Sequence, residues 1–172
     1  MKRITGVVLV CVFFLLSLSG CGTNKLSPFG KTPEEMAVEL NESLDAIGTE
    51  LNITEFTPQE NDDGTMEYRC ELTDAVSISF LQISTDSSYR IFVDISVPVE
   101  STVSEHLDDV DDFIDVCNAV VLTLDPRIDH EALFDRIDLY SMERGSYAAK
   151  SMNWQYSSYT TVTFKSFSVG GL

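Results

Sequence analysis

Met66-Glu67-Tyr68-Arg69-Cys70-Glu71-Leu72, Val76-Ser77-Ile78-Ser79-Phe80 and Ile91-Phe92-Val93-Asp94-Ile95-Ser96-Val97 share one pattern: every second residue is apolar. Successive side chains of a strand point to opposite faces, so a period of two marks three strands, each with one buried face. Tight turns near Thr73-Asp74 and at Asp86-Ser87-Ser88 join them, and Pro98 closes the third, because proline cannot donate to a ladder. Consecutive strands on short turns make an antiparallel meander, one face in the core and one wetter. Asp63-Gly64 is the turn that enters it, and the segment through Pro58 and Asn61-Asp62-Asp63-Gly64 reads as loop.

Upstream of the meander, Thr32-Pro33-Glu34-Glu35 sets a capping hydroxyl, a proline at the first helical position and a capping-box glutamate in order. Met36, Leu40, Leu44 and Ile47 follow at helical spacing, and Gly48 is the expected stop. Downstream, Thr102-x-x-Glu105 predicts a second capping box. Leu107, Val110, Phe113, Ile114, Cys117, Val121 and Leu124 fall in one arc, with Asp108, Asp109, Asp111, Asp112 and Asp115 opposite. Asp125-Pro126 ends that helix, and Asp129 caps a short third one carrying Leu133, Phe134 and Ile137.

The final third changes character. Acids stop at Glu143, leaving Arg144, Lys150 and Lys165 as the charged side chains, while Tyr147, Trp154, Tyr156, Tyr159, Phe164 and Phe167 gather there. Met152, Trp154 and Tyr156 alternate, Ser157-Ser158 can turn, and Val162 and Phe164 alternate again, which predicts a hairpin. Phe167 is out of phase with Phe164, so a bulge intervenes or one aromatic faces outward. The expected fold is α+β: a single antiparallel sheet of about five strands with helices packed on one face, in the order α-β-β-β-α-α-β-β.

The chain of 172 residues carries a net charge of −17. Phosphate contacts need clustered Lys and Arg, so nucleic-acid binding is excluded as a class. The opening residues have a different composition. Lys2 and Arg3 precede an apolar run from Val7 to Leu16 that is too short for a comfortable membrane span, and small residues lead into a cysteine. The tetrad Leu18-Ser19-Gly20-Cys21 resembles the bacterial lipoprotein lipobox at all four positions. The resemblance covers residues 1–21 only. It implies that residues 1–20 are a signal peptide that is removed and that Cys21 receives a diacylglyceryl thioether. The product is then anchored in the bilayer on the extracytoplasmic side of the cell membrane, or in the outer membrane of a Gram-negative envelope. Residues 21–31 then read as the lipidated cysteine and a flexible tether, and residues 32–172 as a single globular domain.

Several groups were candidates for chemistry. Cys11 leaves with the signal, so Cys70 and Cys117 remain, on facing core elements in a compartment that permits disulfides; they are candidates for a pair or for buried thiols. Their spacing offers no zinc site. The aspartates of the second helix radiate from a rigid rod, and Asn61-Asp62-Asp63-Gly64 lacks the calcium-loop spacing, so no metal or cofactor is implied. His106 and His130 are the sole histidines, and His130-Glu131 does not extend to a zinc-binding motif. No nucleophile elbow, phosphate loop or dinucleotide fingerprint occurs, and no catalytic residue is assigned. Aromatic residues and arginine concentrate at interface centres, which makes Trp154, Tyr156, Tyr159 and Phe167 the candidate contacts for an unknown protein or envelope component. The expected function is a non-catalytic, membrane-anchored binding or accessory module. The alternatives are an envelope enzyme with an unrecognised site and an acidic cation-responsive module.

Overall fold

The computed structural model describes residues 25–83, 88–96, 106–141 and 143–172. Cys21, Pro98 and the Thr102–Glu105 box lie outside the described residues. In chain order the elements are α1 (Pro33–Ile47), β1 (Thr57–Glu60), β2 (Met66–Glu71), β3 (Val76–Gln82), β4 (Tyr89–Ser96), α2 (Leu107–Leu124), α3 (His130–Arg136), β5 (Gly145–Lys150), β6 (Trp154–Thr160) and β7 (Phe164–Gly171). The strands form one sheet in the spatial order β1-β2-β3-β4-β7-β6-β5, and every neighbouring pair is antiparallel.

The α+β class and the single antiparallel sheet hold, but the sheet has seven strands where about five were expected. The order is therefore α-β-β-β-β-α-α-β-β-β. The two added strands are the edges. β1 is Thr-Pro-Gln-Glu, exposed at every position, so no buried face imprints alternation on it. β5 is Gly-Ser-Tyr-Ala-Ala-Lys and buries only Ala149 deeply, so its small residues carry almost no period.

α1 matches its sequence signals closely. Thr32 Oγ1 accepts from the Glu35 amide at 3.2 Å, and Glu35 Oε2 accepts from the Thr32 amide at 2.9 Å. Such caps contribute about 1 kcal/mol. At the other end Gly48 takes φ +90°, the left-handed turn that lets its amide reach the Leu44 and Asp45 carbonyls. α2 begins at Leu107 with His106 preceding it and no side-chain cap. Its buried arc is wider than the sequence implied, adding Val116, Ala119 and Val120 to Phe113, Cys117 and Val121, while Leu107, expected in that arc, is 58% exposed at the helix start. The helix needs that width because it packs on β3 and β4 on one side and on α1 on the other. A hydrogen bond of 2.8 Å between the Ser43 and Thr123 hydroxyls ties the two helices.

The core lies between these helices and one face of the sheet. Val76, Ile78 and Phe80 of β3, Ile91, Val93 and Ile95 of β4, and Phe167 and Val169 of β7 all point into it.

The expected tether is folded from Leu26 onward. Leu26 is 0% exposed, and its amide donates to the Lys31 carbonyl at 2.7 Å in a small closed loop. Phe29 stacks on Trp154 at 5.3 Å and meets Phe80 edge-on at 6.0 Å. Lys31 pairs with Glu39 of α1. Turn-forming residues around Pro28 and Gly30 concealed one buried leucine and one buried ring edge. Leu26→Ala should cost about 2–4 kcal/mol, as a buried leucine does and a tether residue does not. A thermal melt of the variant, read against the wild type, checks this.

Candidate functional site

The face of the sheet away from the helices is built from the alternate residues, and it has an unusual composition. Opposite the core positions stand Ser77, Ser79 and Leu81 on β3, Phe92 and Asp94 on β4, Phe164, Ser166 and Ser168 on β7, and Ser157 and Tyr159 on β6. A sheet face turned away from the helices ordinarily carries long charged side chains; this one carries serines, and Ser77, Ser79, Ser166 and Ser168 are buried between their larger neighbours. Cross-strand register lines them up in rungs. One rung runs Glu71–Ser77–Asp94–Ser166–Tyr159–Ser146, and the next runs Arg69–Ser79–Phe92–Ser168–Ser157–Ala148.

Short hydroxyl side chains between larger neighbours leave a hollow. It has a volume of about 310 Å³, with Asp94, Ser166 and Ser168 among its lining and Phe92, Phe164 and Tyr159 supplying aromatic surface. Ser157 and Ser168 share a hydrogen bond of 2.8 Å across the β6–β7 ladder.

Asp94 is the chemical singularity of this face. Its Oδ1 is sealed from water and receives no hydrogen bond among the described residues. Burial pushes its carboxyl above the usual aspartate range, while the Ser166 hydroxyl and the Arg69 guanidinium act in the opposite direction. Arg69 is committed elsewhere: its Nε donates to Glu71 Oε1 at 2.6 Å, its Nη2 donates to Ser77 Oγ at 2.8 Å, and Glu67 lies 3.8 Å from its Nη1. Arg90, on the same face, lies against Gly170, where an added Cβ would come within 2.5 Å of its Nε.

The residues singled out from the sequence fare differently. Tyr159 is 52% exposed and lines the hollow. Tyr156 and Phe167, expected to face outward, are each 0% exposed and stack on one another at 6.2 Å in the core. The reason is register: Tyr156 stands opposite Val169, and Phe167 opposite Val93, so both share the core parity. Phe164 is the aromatic that faces outward, without a bulge, and Val162 falls in the exposed β6–β7 turn. Trp154 is half-buried, pinned by the Phe29 stack and by Nε1 donating to the Leu124 carbonyl at 3.3 Å.

Cys70 and Cys117 are both buried, and in this structure both are free thiols. Cys70 Sγ points to the Glu71 carbonyl at 3.7 Å. Burial pushes the Cys117 thiol well up, so it is inert as a nucleophile.

Two of the helical aspartates, Asp112 and Asp115, are raised by burial and by their acidic neighbours. Burial and then Asp109, Asp115, Asp108 and Asp111 push Asp112 above the ordinary range. Among the described residues no group of three or more His, Cys, Asp and Glu is placed to hold a metal ion. His106 Nδ1 meets Asp109 Oδ2 at 2.7 Å at the start of α2, and His130 sits on α3 beside Phe134; neither lines the hollow.

Lys165 was not singled out from the sequence. It is 1% exposed, on the core face of β7, and its ammonium donates to the Asp138 and Ser141 carbonyls and to Thr160 Oγ1. Three acceptors make a buried ammonium tolerable, and they pin the α3–β5 connection to the sheet. Ser158 Oγ donates to the Ile137 carbonyl beside it. No sequence signal marks a lysine for burial, but the serines had one: Ser77, Ser79, Ser166 and Ser168 occupy every second place opposite the apolar set.

Compared with known proteins, the chain matches no family model, no curated protein and no solved structure.

Two outcomes follow from this geometry. Folded Asp94 holds its proton to higher pH than a free aspartate, so the folded state binds more protons between the two values. Stability tied to Asp94 is therefore lost as pH rises from the usual aspartate pKa, about 3.9, through the raised one. Asp94→Asn should melt higher than wild type at pH 7, with the gain vanishing below about pH 3.5, in paired melts across that range. Separately, a thiol reagent should leave Cys70 and Cys117 unmodified in the native protein and label both in guanidinium.

Proposed function

We propose that this protein is an extracytoplasmic lipoprotein, held to the bilayer by a thioether at Cys21, whose hydroxyl-lined sheet face is a non-catalytic binding surface. The lipobox tetrad supports the address, since two acyl chains on one cysteine give stable anchoring where a single chain does not. One observation carries the binding surface: among the described residues the helices cover one face of the sheet, and the other face holds a hollow of serines and aromatics around Asp94. Apolar walls with a few convergent polar groups are what small ligands and partner side chains dock into. The aromatic contribution comes from Tyr159, Phe164 and Phe92 rather than from Trp154, Tyr156 and Phe167, whose rings serve packing.

The two halves of this reading are checked separately. Mass spectrometry of the protein from its native membrane should find Cys21 as a diacylated N-terminus; an intact Met1 with an unmodified Cys21 thiol removes the anchor. Photo-crosslinking side chains at Ser146 or Tyr159, on the hollow, should give adducts in living cells that the same groups at Val38 or Glu42, on α1, do not. Equal yields from both sides would dismiss the face.

A further inference from the structure

We propose that the hollow around Asp94 is a binding site for an organic cation, an ammonium or guanidinium group. The inference rests on the reading of this face as the binding surface and adds the chemistry of what it takes. Three observations converge.

The charge inventory comes first. Glu67 and Asp94 line the hollow, and no basic side chain does. Arg69, the nearest base that acts on Asp94, is engaged by Glu71, Glu67 and Ser77. Arg90 lies against Gly170. Among the described residues the lining of the site is thus short of positive charge.

The second is an unmet demand for a donor. Among the described residues Asp94 Oδ1 has no hydrogen-bond partner, and a buried carboxylate oxygen without one is costly. A neutral hydroxyl ligand would supply the hydrogen bond and leave the charge; an ammonium or guanidinium supplies both. Asp94 stands between Ser77 and Ser166 on the neighbouring strands, whose side chains are single hydroxymethyl groups. Each turns about one bond, so a ligand can displace them without moving the backbone.

The third is the wall. Phe92, Phe164 and Tyr159 line the same hollow as the carboxylates, and ring faces attract cations when water is displaced. The volume, about 310 Å³, suits a single alkylammonium or guanidinium group with its first few methylenes. Free amines and the Lys or Arg side chains of a partner protein share this chemistry.

The experiment follows amide chemical shifts of the purified protein during titration with n-butylammonium, ethylguanidinium, 1-butanol as the uncharged isostere, and a glycine-flanked single-lysine peptide. Saturable shifts centred on Asp94, Ser166, Ser168 and Phe92 are expected for the cations and not for butanol. Asp94→Asn, with a melting temperature no lower than wild type, should weaken binding about tenfold or more, as loss of a charge-assisted hydrogen bond does. Glu42→Gln, which removes an acid from the helical side, should leave it unchanged and so separates the site from general attraction to an acidic chain. Tighter binding of the lysine peptide than of butylammonium assigns the cation to a partner protein, and the reverse assigns it to a free amine. No saturable shift with any cation, equal shifts with butanol, or equal binding by Asp94→Asn overturns the proposal. If crosslinks still form from Ser146 and Tyr159 in that event, the face remains a binding surface for ligands of other chemistry.

Discussion

The pairing of β4 with β7 is the contact on which the rest of the structure depends. It joins a four-stranded meander to a three-stranded one across an intervening pair of helices, and it is the longest-range ladder in the sheet. Closing so long a loop is entropically unfavourable, and the return is a continuous inner face. Ile91 meets Val169 and Val93 meets Phe167 along that seam, directly beneath α2. Because the register is fixed inside, it is fixed outside as well: a slip of one residue would bring core side chains to the surface. The same ladder places Asp94 opposite Ser166 and Phe92 opposite Ser168. The hollow therefore belongs to neither meander alone and exists only when the two have joined.

What was legible in the chain follows from which faces are buried. β2, β3 and β4 and the caps of α1 were readable because a buried face or an orphan amide dictates the residue at each place. β1 and β5 were not, because edge strands that bury at most one small side chain leave almost no trace in side-chain type. The aromatic residues of β6 and β7 misled in a specific way. Tyr156 and Phe167 look like interface residues by type, but type does not set parity; the pairing partner does. Tyr156 also has a polar hydroxyl, whose phenol burial pushes far up, so its interior position was poorly signalled. Asp94 carries no mark in the strand pattern, since its isolation comes from Arg69 being bound to other acids, a fact of three dimensions.

Lys165 and Asp94 form an instructive contrast. They stand on adjacent strands, on opposite faces of the sheet, one a buried base and the other a half-buried acid with one sealed oxygen. Lys165 has three acceptors within reach and is a structural cross-brace. Asp94 Oδ1 has no donor among the described residues. Of two costly buried charges, the one the fold has satisfied has a sufficient structural explanation, and the one left wanting is where a ligand is to be sought.

If Cys21 is the lipidated end, a fully extended chain from it to the point where Leu26 enters the core spans at most about 18 Å. A body on so short a leash cannot roam the periplasmic space or the wall. It would ride against the headgroups, sampling tilt rather than distance, and whatever it engages must come to within one molecular diameter of the membrane plane.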